Sequence, residues 1–251
     1  MKRIRLSETG IHNIKNFDWI GYFKYNNSHL IKLDYSLNDE LTEEEKKLVF
    51  PSIKAFQIGE GSDGKHLSKT VKDFAERTNY HSFPEIMKWF IFEENRHSQT
   101  LKKYLDVYGT EVEQKLWIDN IFRFLRKLIG IECEVIVLVT AEMIALSYYD
   151  ALSDSTNSKL LKNICEQMLN DELKHVVLQS DTLNRISLDR SKLVNNISRT
   201  IRKAMMSITS FIVWRKYKKV FEKGGYTKKL FKENCKFYLY ESIDIEKTGN
   251  F

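Results

Sequence analysis

The sequence predicts an all-α fold, and two observations carry this prediction. Only 10 of the 251 residues are glycine, and only Pro51 and Pro84 are proline. So few chain breakers leave long uninterrupted stretches, which favour helices over many short strands. Within these stretches apolar residues recur three and four positions apart, which is the spacing of one face of a helix. The composition, 42% hydrophobic and 29% charged, is ordinary for a globular protein.

The chain begins with an irregular segment and then enters its first clear helix. Residues 1–40 mix aromatic, Asn and Ser residues without a clear period, so we expect an irregular N-terminal arm with a short helix. The run Thr42-Glu43-Glu44-Glu45 is a capping box, in which Thr and the Glu three positions later satisfy backbone N–H groups at a helix start. The helix that begins there must adjust at Pro51, which has no backbone N–H.

Residues 52–78 are predicted to form a long helix with glycines in its middle. Gly59, Gly61 and Gly64 each cost about 1 kcal/mol of helix stability relative to Ala. Two interpretations of this segment remain open. One is a loop that splits two helices, and the other is a close backbone approach or a pocket beside Glu60.

Six further helices are predicted, separated by short polar or glycine-containing turns. They cover Glu85–Val107, Glu111–Lys127, Ile131–Leu152, Ser158–Ile186, Leu193–Lys223 and Thr227–Ser242. The third is the most buried of them, because its run Val135–Val139 is apolar all round. Its apolar stretch, Val135–Leu146, is too short for a membrane span, which needs about 20 residues. One domain over residues 1–251 is the simplest account.

Two of the predicted helices carry the pattern Glu-x-x-His, as Glu94/His97 and Glu172/His175. On a helix this spacing places a carboxylate and an imidazole on the same face, one turn apart. A helical bundle with two such pairs, plus a lone Glu from each of two other helices, holds a dinuclear carboxylate-bridged metal site. The pattern therefore predicts a metal site that needs two more carboxylates.

The sequence offers two candidates for each of the missing carboxylates. Glu142 lies in a very apolar helix, where an ionised carboxylate is costly to bury unless it is paired or bound to metal. A protonated or salt-bridged core Glu is the alternative for this residue, and Glu134 competes with it two turns earlier. Before Glu94, Glu60 is the best lone carboxylate, with Asp63 as its substitute.

At these residues the chain resembles a known family. Glu93–His97, followed by Leu101–Leu105, looks like the corresponding helix of the soluble acyl-carrier-protein desaturases. Leu161–Cys165 through Asp171–His175 resembles their second Glu-x-x-His helix. The similarity covers about residues 55–185. Those enzymes belong to the ferritin-like di-iron superfamily, and this chain departs from them in its shorter length and in the segment around Glu60.

The resemblance implies a ferritin-like four-helix bundle with additional helices. Residues 42–186 would form the di-iron bundle, and residues 187–251 would be extra C-terminal helices. The implied ligands of two Fe ions are Glu60, Glu94, His97, Glu142, Glu172 and His175. Manganese, or a mixed manganese and iron pair, is compatible with the same donors. The implied partners are O2, an external electron donor such as a ferredoxin, and an acidic acyl carrier protein.

Some residues near the Glu-x-x-His pairs have two interpretations. Asp171 and Glu93 are expected to orient the two His side chains, although Glu93 has Arg96 or solvent as an alternative partner. Three tyrosines are predicted to be core or rim aromatics rather than redox-active groups: Tyr104, Tyr148 and Tyr149.

The sequence thus favours an O2-dependent non-haem di-iron oxidoreductase of the desaturase or hydroxylase type, acting on an organic substrate such as a carrier-bound acyl chain. The alternatives are a ferritin-like iron-binding or storage protein without organic substrate, and a helical scaffold in which the Glu-x-x-His pairs are coincidental. The resemblance also implies a homodimer, because ferritin-like bundles often pair through long helices.

The charge and the cysteine content indicate the class of partner and the cellular compartment of the chain. The formal charge of +6 is compatible with an acidic carrier, but the cations are too dispersed to predict a nucleic-acid partner. Cys133, Cys165 and Cys235 show no paired spacing, which argues against a disulfide framework and a Cys-based zinc site. No apolar run follows the basic residues 1–6, so we expect no signal peptide and a cytoplasmic protein.

Overall fold

A computed structural model describes residues 3–36, 41–61, 67–110 and 130–251. Within these ranges every regular element is a helix, so the all-α prediction is confirmed for them. A short 3-10 helix, Leu6–Thr9, precedes eight α-helices: α1 (Trp19–Ser28), α2 (Glu43–Glu60), α3 (Leu67–Thr78), α4 (Phe83–Val107), α5 (Ile131–Asp154), α6 (Lys159–Leu188), α7 (Lys192–Lys223) and α8 (Lys228–Thr248). The predicted helix Glu111–Lys127 lies outside the described residues.

The start of α2 confirms the predicted capping box. The Thr42 hydroxyl accepts a hydrogen bond from the Glu45 backbone N–H at 3.2 Å, and the Glu45 carboxylate accepts one from the Thr42 N–H at 3.0 Å. The helix continues through Pro51 and ends at Glu60. Two donors that have no partner within the helix are therefore satisfied by side chains.

Two helices, rather than one, occupy the segment that was predicted as a long helix over residues 52–78. The first ends at Glu60, with Gly61 as its C-cap, and α3 begins at Leu67. The physical reason is the cluster of glycines, which removes helix propensity over several consecutive positions. Residues 62–66, which include Asp63 and His66, lie outside the described residues.

The chain divides into two compact units. Unit 1 comprises Met1–Phe17, Val135–Ser155 and Met168–Phe251, and unit 2 comprises Asp18–Glu134 and Thr156–Gln167. The expectation of a single domain over residues 1–251 stays a prediction.

Unit 2 is built around α4, against which α1, α2 and α3 each pack. The buried face of α4 includes Phe90, Leu101 and Tyr104, at the helical spacing that the sequence predicts. Asn26 of α1 donates a hydrogen bond from its amide to the Glu93 carboxylate of α4. The helix that carries the first Glu-x-x-His is thus held on several sides.

Unit 1 contains α7 packed against α8, and a buried ion pair joins these two helices. The Arg202 guanidinium donates to the Glu246 carboxylate and, at 2.7 Å, to the Ser242 hydroxyl. Arg199 donates to the same carboxylate at 2.9 Å. Because Arg202 is fully buried, its charge is compensated inside the unit rather than by solvent.

Helix α5 is the most apolar of the helices in the described residues. By length and composition alone it could cross a membrane, because the helix has 24 residues. The apolar stretch that the sequence indicates, Val135–Leu146, is only the central part of this helix. Of its most apolar 18-residue window, 89% is buried within the protein. Buried core helices of globular proteins are often as long and as apolar as this one. That the chain has no membrane span therefore stays a prediction.

Candidate metal centre

The first Glu-x-x-His pair lies on the buried face of α4. Glu94 is 2% exposed and His97 is fully buried. The distance from the His97 Nδ1 atom to a Glu94 carboxylate oxygen is 3.6 Å, as expected for residues one turn apart. Glu60, the last residue of α2, is also buried, and one ligand atom from each of these three residues lies within 4.8 Å of the others.

The end of α2 is attached to α4 beside this group. The Ser98 hydroxyl, which neighbours His97 in the chain, donates to the Gln57 carbonyl at 2.8 Å, and the Gln57 amide lies 2.9 Å from the same hydroxyl. A Cβ atom placed on Gly61 would lie 2.8 Å from the Ser98 hydroxyl oxygen. Glycine at position 61 therefore permits a close approach of two helices that also brings Glu60 towards α4, which was one of the two interpretations of this segment.

The second Glu-x-x-His pair lies on α6 and is buried even more completely. Glu172 and His175 are fully buried, and His175 Nδ1 lies 3.0 Å from a Glu172 carboxylate oxygen. Glu142 of α5 is 3% exposed, and its ligand atom lies within 4.8 Å of those of Glu172 and His175. This trio has the same composition as the first, namely two carboxylates and one imidazole.

The six predicted ligands belong to two overlapping groups, in each of which all the ligand atoms lie within 4.8 Å of one another. The groups are Glu60, Glu94, His97 and Glu172, and Glu94, Glu142, Glu172 and His175. Glu94 and Glu172 are common to both. The described residues thus contain a buried carboxylate and histidine cluster that could hold metal ions.

One competing candidate, Glu134, belongs to neither group. It is buried, and both its carboxylate oxygens lie 3.4 Å from the Thr70 hydroxyl. Asp63 lies outside the described residues. The described geometry therefore brings Glu60 and Glu142 to the cluster, while the ligand role of all six residues stays a prediction.

Glu93 pairs with Arg96, which was the alternative expected for it. The Arg96 guanidinium donates to the Glu93 carboxylate at 2.6 Å, and the Asn26 amide donates to the same oxygen. Glu93 is 3% exposed, so its charge is compensated by a cation within the protein. Asp171, the other acidic neighbour, is fully buried on α6.

The tyrosines of this region are fully buried, as predicted for core aromatics. The Tyr104 hydroxyl donates to Ser158 at 3.4 Å, and its ring makes an edge contact with Phe50. The Tyr148 and Tyr149 rings contact each other with centroids 5.1 Å apart. Their role as packing residues rather than redox-active groups stays a prediction.

Three histidines outside the two pairs, and the three cysteines, belong to neither ligand group. His12, His29 and His81 are exposed, and the His29 ring stacks on Tyr25. All three cysteines are free, with Cys133 partly exposed and the other two buried. They form no disulfide, in agreement with their isolated positions.

Sequence reasoning missed the side chains that hold α4 in place. The Gln57 and Ser98 contact and the Asn26 bond to Glu93 join residues 41 and 67 positions apart, so no local pattern reveals them. The one available signal was Gly61, since an unexplained glycine near a helix end is typical of close approach.

The donor set of the cluster fits a pair of divalent cations. Four carboxylates so close together repel one another when ionised, and burial strengthens that repulsion because solvent screens it less. Two divalent cations would cancel the four negative charges, and carboxylate with imidazole is a donor combination suited to iron or manganese. The cluster is therefore compatible with a di-iron site.

No protein-family model, characterised protein or solved structure matches this chain. The resemblance to the acyl-carrier-protein desaturases thus rests on the Glu-x-x-His helices alone, and membership of the ferritin-like superfamily stays a hypothesis.

Proposed function

We propose that this chain is an O2-dependent non-haem di-iron oxidoreductase, of the desaturase or hydroxylase type, that acts on an organic substrate. The observation that supports this most directly is the pair of overlapping ligand groups built on two Glu-x-x-His pairs. Both imidazoles are buried, and each lies beside the carboxylate of its own pair.

In this proposal each trio would hold one ion, and the carboxylates common to both groups would contribute to both ions. Glu60 and His97 would bind the first ion, and Glu142 and His175 the second. Glu94 and Glu172 would bridge the two, because only these residues belong to both groups. When bound, a pair of Fe(II) ions supplies the electrons and the binding position needed to reduce O2.

The protein's own contribution is to exclude water and to set the charge. All six side chains are at most 8% exposed, so the electrostatic interactions of the ions with their ligands are little screened. Arg96 compensates Glu93, so a fifth negative charge next to the cluster is neutralised. The Gln57 and Ser98 contact holds the end of α2, which carries Glu60, against α4.

The partners follow from the chemistry of the proposal. O2 is the oxidant, and an external electron donor such as a ferredoxin supplies the reducing equivalents. The formal charge of +6 favours an acidic partner, and an acyl chain on an acidic carrier protein is the substrate class that we propose. We propose a cytoplasmic location and no nucleic-acid partner.

Metal analysis combined with Mössbauer spectroscopy tests the proposal. The purified chain should bind about two irons with the signature of a coupled pair. Glu94→Ala and His175→Ala should both lower that content, and full metal content in both variants would refute the site. A helical scaffold without metal function predicts no stoichiometric iron at all.

Oxygen consumption separates the proposed enzyme from an iron-storage protein. An oxygenase should consume O2 continuously when a reductant and an acyl substrate are present. A storage protein should consume O2 only in proportion to the Fe(II) added, whatever organic substrate is supplied.

A further inference from the structure

Helix α7 of unit 1 exposes a row of apolar side chains, which we call the α7 seam. Five of its members are between 44% and 61% exposed, and the sixth, an alanine, is also exposed. The seam consists of Val194, Ile197, Ile201, Ala204, Ile208 and Phe211. The opposite face of the same helix is buried through Arg202, Met206 and Trp214, so the seam is additional to the face that packs inside the unit.

The spacing of the seam is that of a coiled coil. Its members follow one another at intervals of three, four, three, four and three residues. This repeat fills the a and d positions of consecutive heptads, which form a narrow line of contact with one other helix. Val194, Ile201 and Ile208 occupy a positions, and Ile197, Ala204 and Phe211 occupy d positions.

The flanks of the seam carry no charge. The e and g positions between residues 193 and 212 are Leu193, Ser198, Thr200, Met205, Ser207 and Ile212. Three cations lie elsewhere on this part of α7: Arg199 and Arg202 pair with Glu246, and Lys203 lies over the Tyr240 ring. Helices that bind an anionic lipid surface carry cations beside their apolar face, so a neutral seam favours another apolar helix instead.

The seam is complementary to itself in the antiparallel direction. If two copies pair with a two-fold axis between Ile201 and Ala204, each a residue meets a d residue of the other copy. Val194 then faces Phe211, Ile197 faces Ile208, and Ile201 faces Ala204. The small Ala204 side chain at the centre allows the two helices to approach closely.

Charge decides between antiparallel and parallel pairing. Beyond the seam α7 exposes a basic end, formed by Arg215, Lys216, Lys218 and Lys219. A parallel pair would place the two basic ends side by side. In the antiparallel pair they lie roughly 35 Å apart along the helix axis, several times the screening length of about 8 Å in physiological salt.

We propose that this chain forms a two-fold symmetric homodimer through antiparallel pairing of the α7 seams. This proposal rests on α7 alone and is independent of the metal site and of any activity.

Light scattering or sedimentation of the full chain, over about 1 to 100 µM protein, tests the self-association. The wild type should approach twice the chain mass of 29.7 kDa, and Ile201→Glu with Ile208→Glu should reduce it to a single chain. Both residues are exposed, so the double variant should keep the helical circular dichroism of the wild type. The matched control, Asn196→Glu with Lys203→Glu, changes two exposed residues of the same helix outside the seam and should remain dimeric.

A wild type that stays monomeric over this range would overturn the proposal. So would a dimer that both double variants weaken equally, or that neither variant weakens. Monomers that co-sediment with phosphatidylglycerol vesicles would assign the seam to a lipid surface instead.

Disulfide trapping tests the antiparallel direction. In a Cys133→Ser background, Val194→Cys and Phe211→Cys chains should form a cross-linked dimer only when they are mixed. The remaining cysteines, Cys165 and Cys235, are buried. Cross-linking of either variant with itself, at a yield equal to that of the mixture, would show parallel pairing and contradict the proposal.

Discussion

Gly61 and Ser98 meet so closely that a Cβ atom on Gly61 would lie 2.8 Å from the Ser98 hydroxyl oxygen. Gly61 directly follows Glu60, and Ser98 directly follows His97. The contact therefore lies directly beside two of the predicted metal ligands. It gives a structural reason for a glycine that the sequence alone left with two interpretations.

Substitution of Gly61 should weaken both the stability of the fold and metal binding. We expect Gly61→Ala to lower the free energy of unfolding by about 1–3 kcal/mol, because the added methyl group would displace the Ser98 hydroxyl from its hydrogen bonds with Gln57. It should also lower the iron content, since Glu60 moves with the end of α2. Urea denaturation and metal analysis of the same preparation measure both effects.

Gly59→Ala is the control for this substitution. Gly59 lies inside α2, and a Cβ atom there would meet nothing within 4 Å. We expect this variant to be stabilised by about 1 kcal/mol, because alanine is the better helix former. If both variants were destabilised equally, the close contact with Ser98 would not be the reason for glycine at position 61.

The overlap of the two ligand groups predicts different metal losses for shared and unshared ligands. Glu172→Ala should remove both ions, because Glu172 belongs to both groups. Glu60→Ala should leave about one ion per chain, since the second trio stays intact. Iron quantification of the purified variants distinguishes these outcomes.

Glu166→Ala is the matched control for Glu172→Ala, because it removes an exposed carboxylate from the same helix. It should keep the full metal content. Equal iron loss in Glu60→Ala and Glu172→Ala would contradict the bridging assignment.

The buried ion pair of Arg202 and Glu246 predicts a large loss of stability when it is broken. Glu246→Ala leaves the fully buried guanidinium without its carboxylate, so we expect unfolding to become easier by about 3–5 kcal/mol. Chemical denaturation followed by circular dichroism measures this change.

Glu233→Ala serves for comparison, because it breaks a solvent-exposed pair with Arg3. Its expected cost is below about 1 kcal/mol. If the two substitutions lowered the free energy of unfolding by similar amounts, the burial of Arg202 would not explain the loss of stability in Glu246→Ala.

Asp150 predicts a pH dependence of stability. Burial raises the pKa of its carboxyl above 3.8, against the hydrogen bond donated by Tyr226, which lowers it. The folded state therefore binds the Asp150 proton more tightly than the unfolded state does. The associated stability is fully present below the unfolded pKa and is lost as the pH rises through the raised folded pKa.

Asp150→Asn isolates this contribution, because an amide oxygen still accepts the Tyr226 hydrogen bond. The wild type should gain stability relative to this variant as the pH falls from neutral towards the unfolded pKa of Asp. Urea denaturation at a series of pH values measures the difference. A wild-type advantage that instead grew with rising pH would contradict the raised pKa.

The features that the sequence predicted well are those that depend on neighbouring residues. The capping box at Thr42 and the two Glu-x-x-His pairs involve residues three positions apart, so helix geometry alone brings their side chains together. The burial of Glu142 followed from its apolar neighbours, and the free state of the cysteines followed from their spacing. Neighbouring residues alone do not decide whether residues 52–78 form one helix or two, because the glycines there are compatible with both.

The sequence by itself determined that the chain is helical and which two faces carry a carboxylate beside an imidazole, because both depend on the short repeat of the helix. Only the tertiary structure decided that Glu60 and Glu142 lie with these pairs while Glu134 lies beside Thr70. It also decided that Gly61 lies against Ser98 and that the α7 seam is exposed. The physical reason is that all of these features depend on how separate helices pack. The residues in contact are tens of positions apart in the chain, and a helix face is exposed only where no other helix covers it, so the repeat within a single helix cannot predict either.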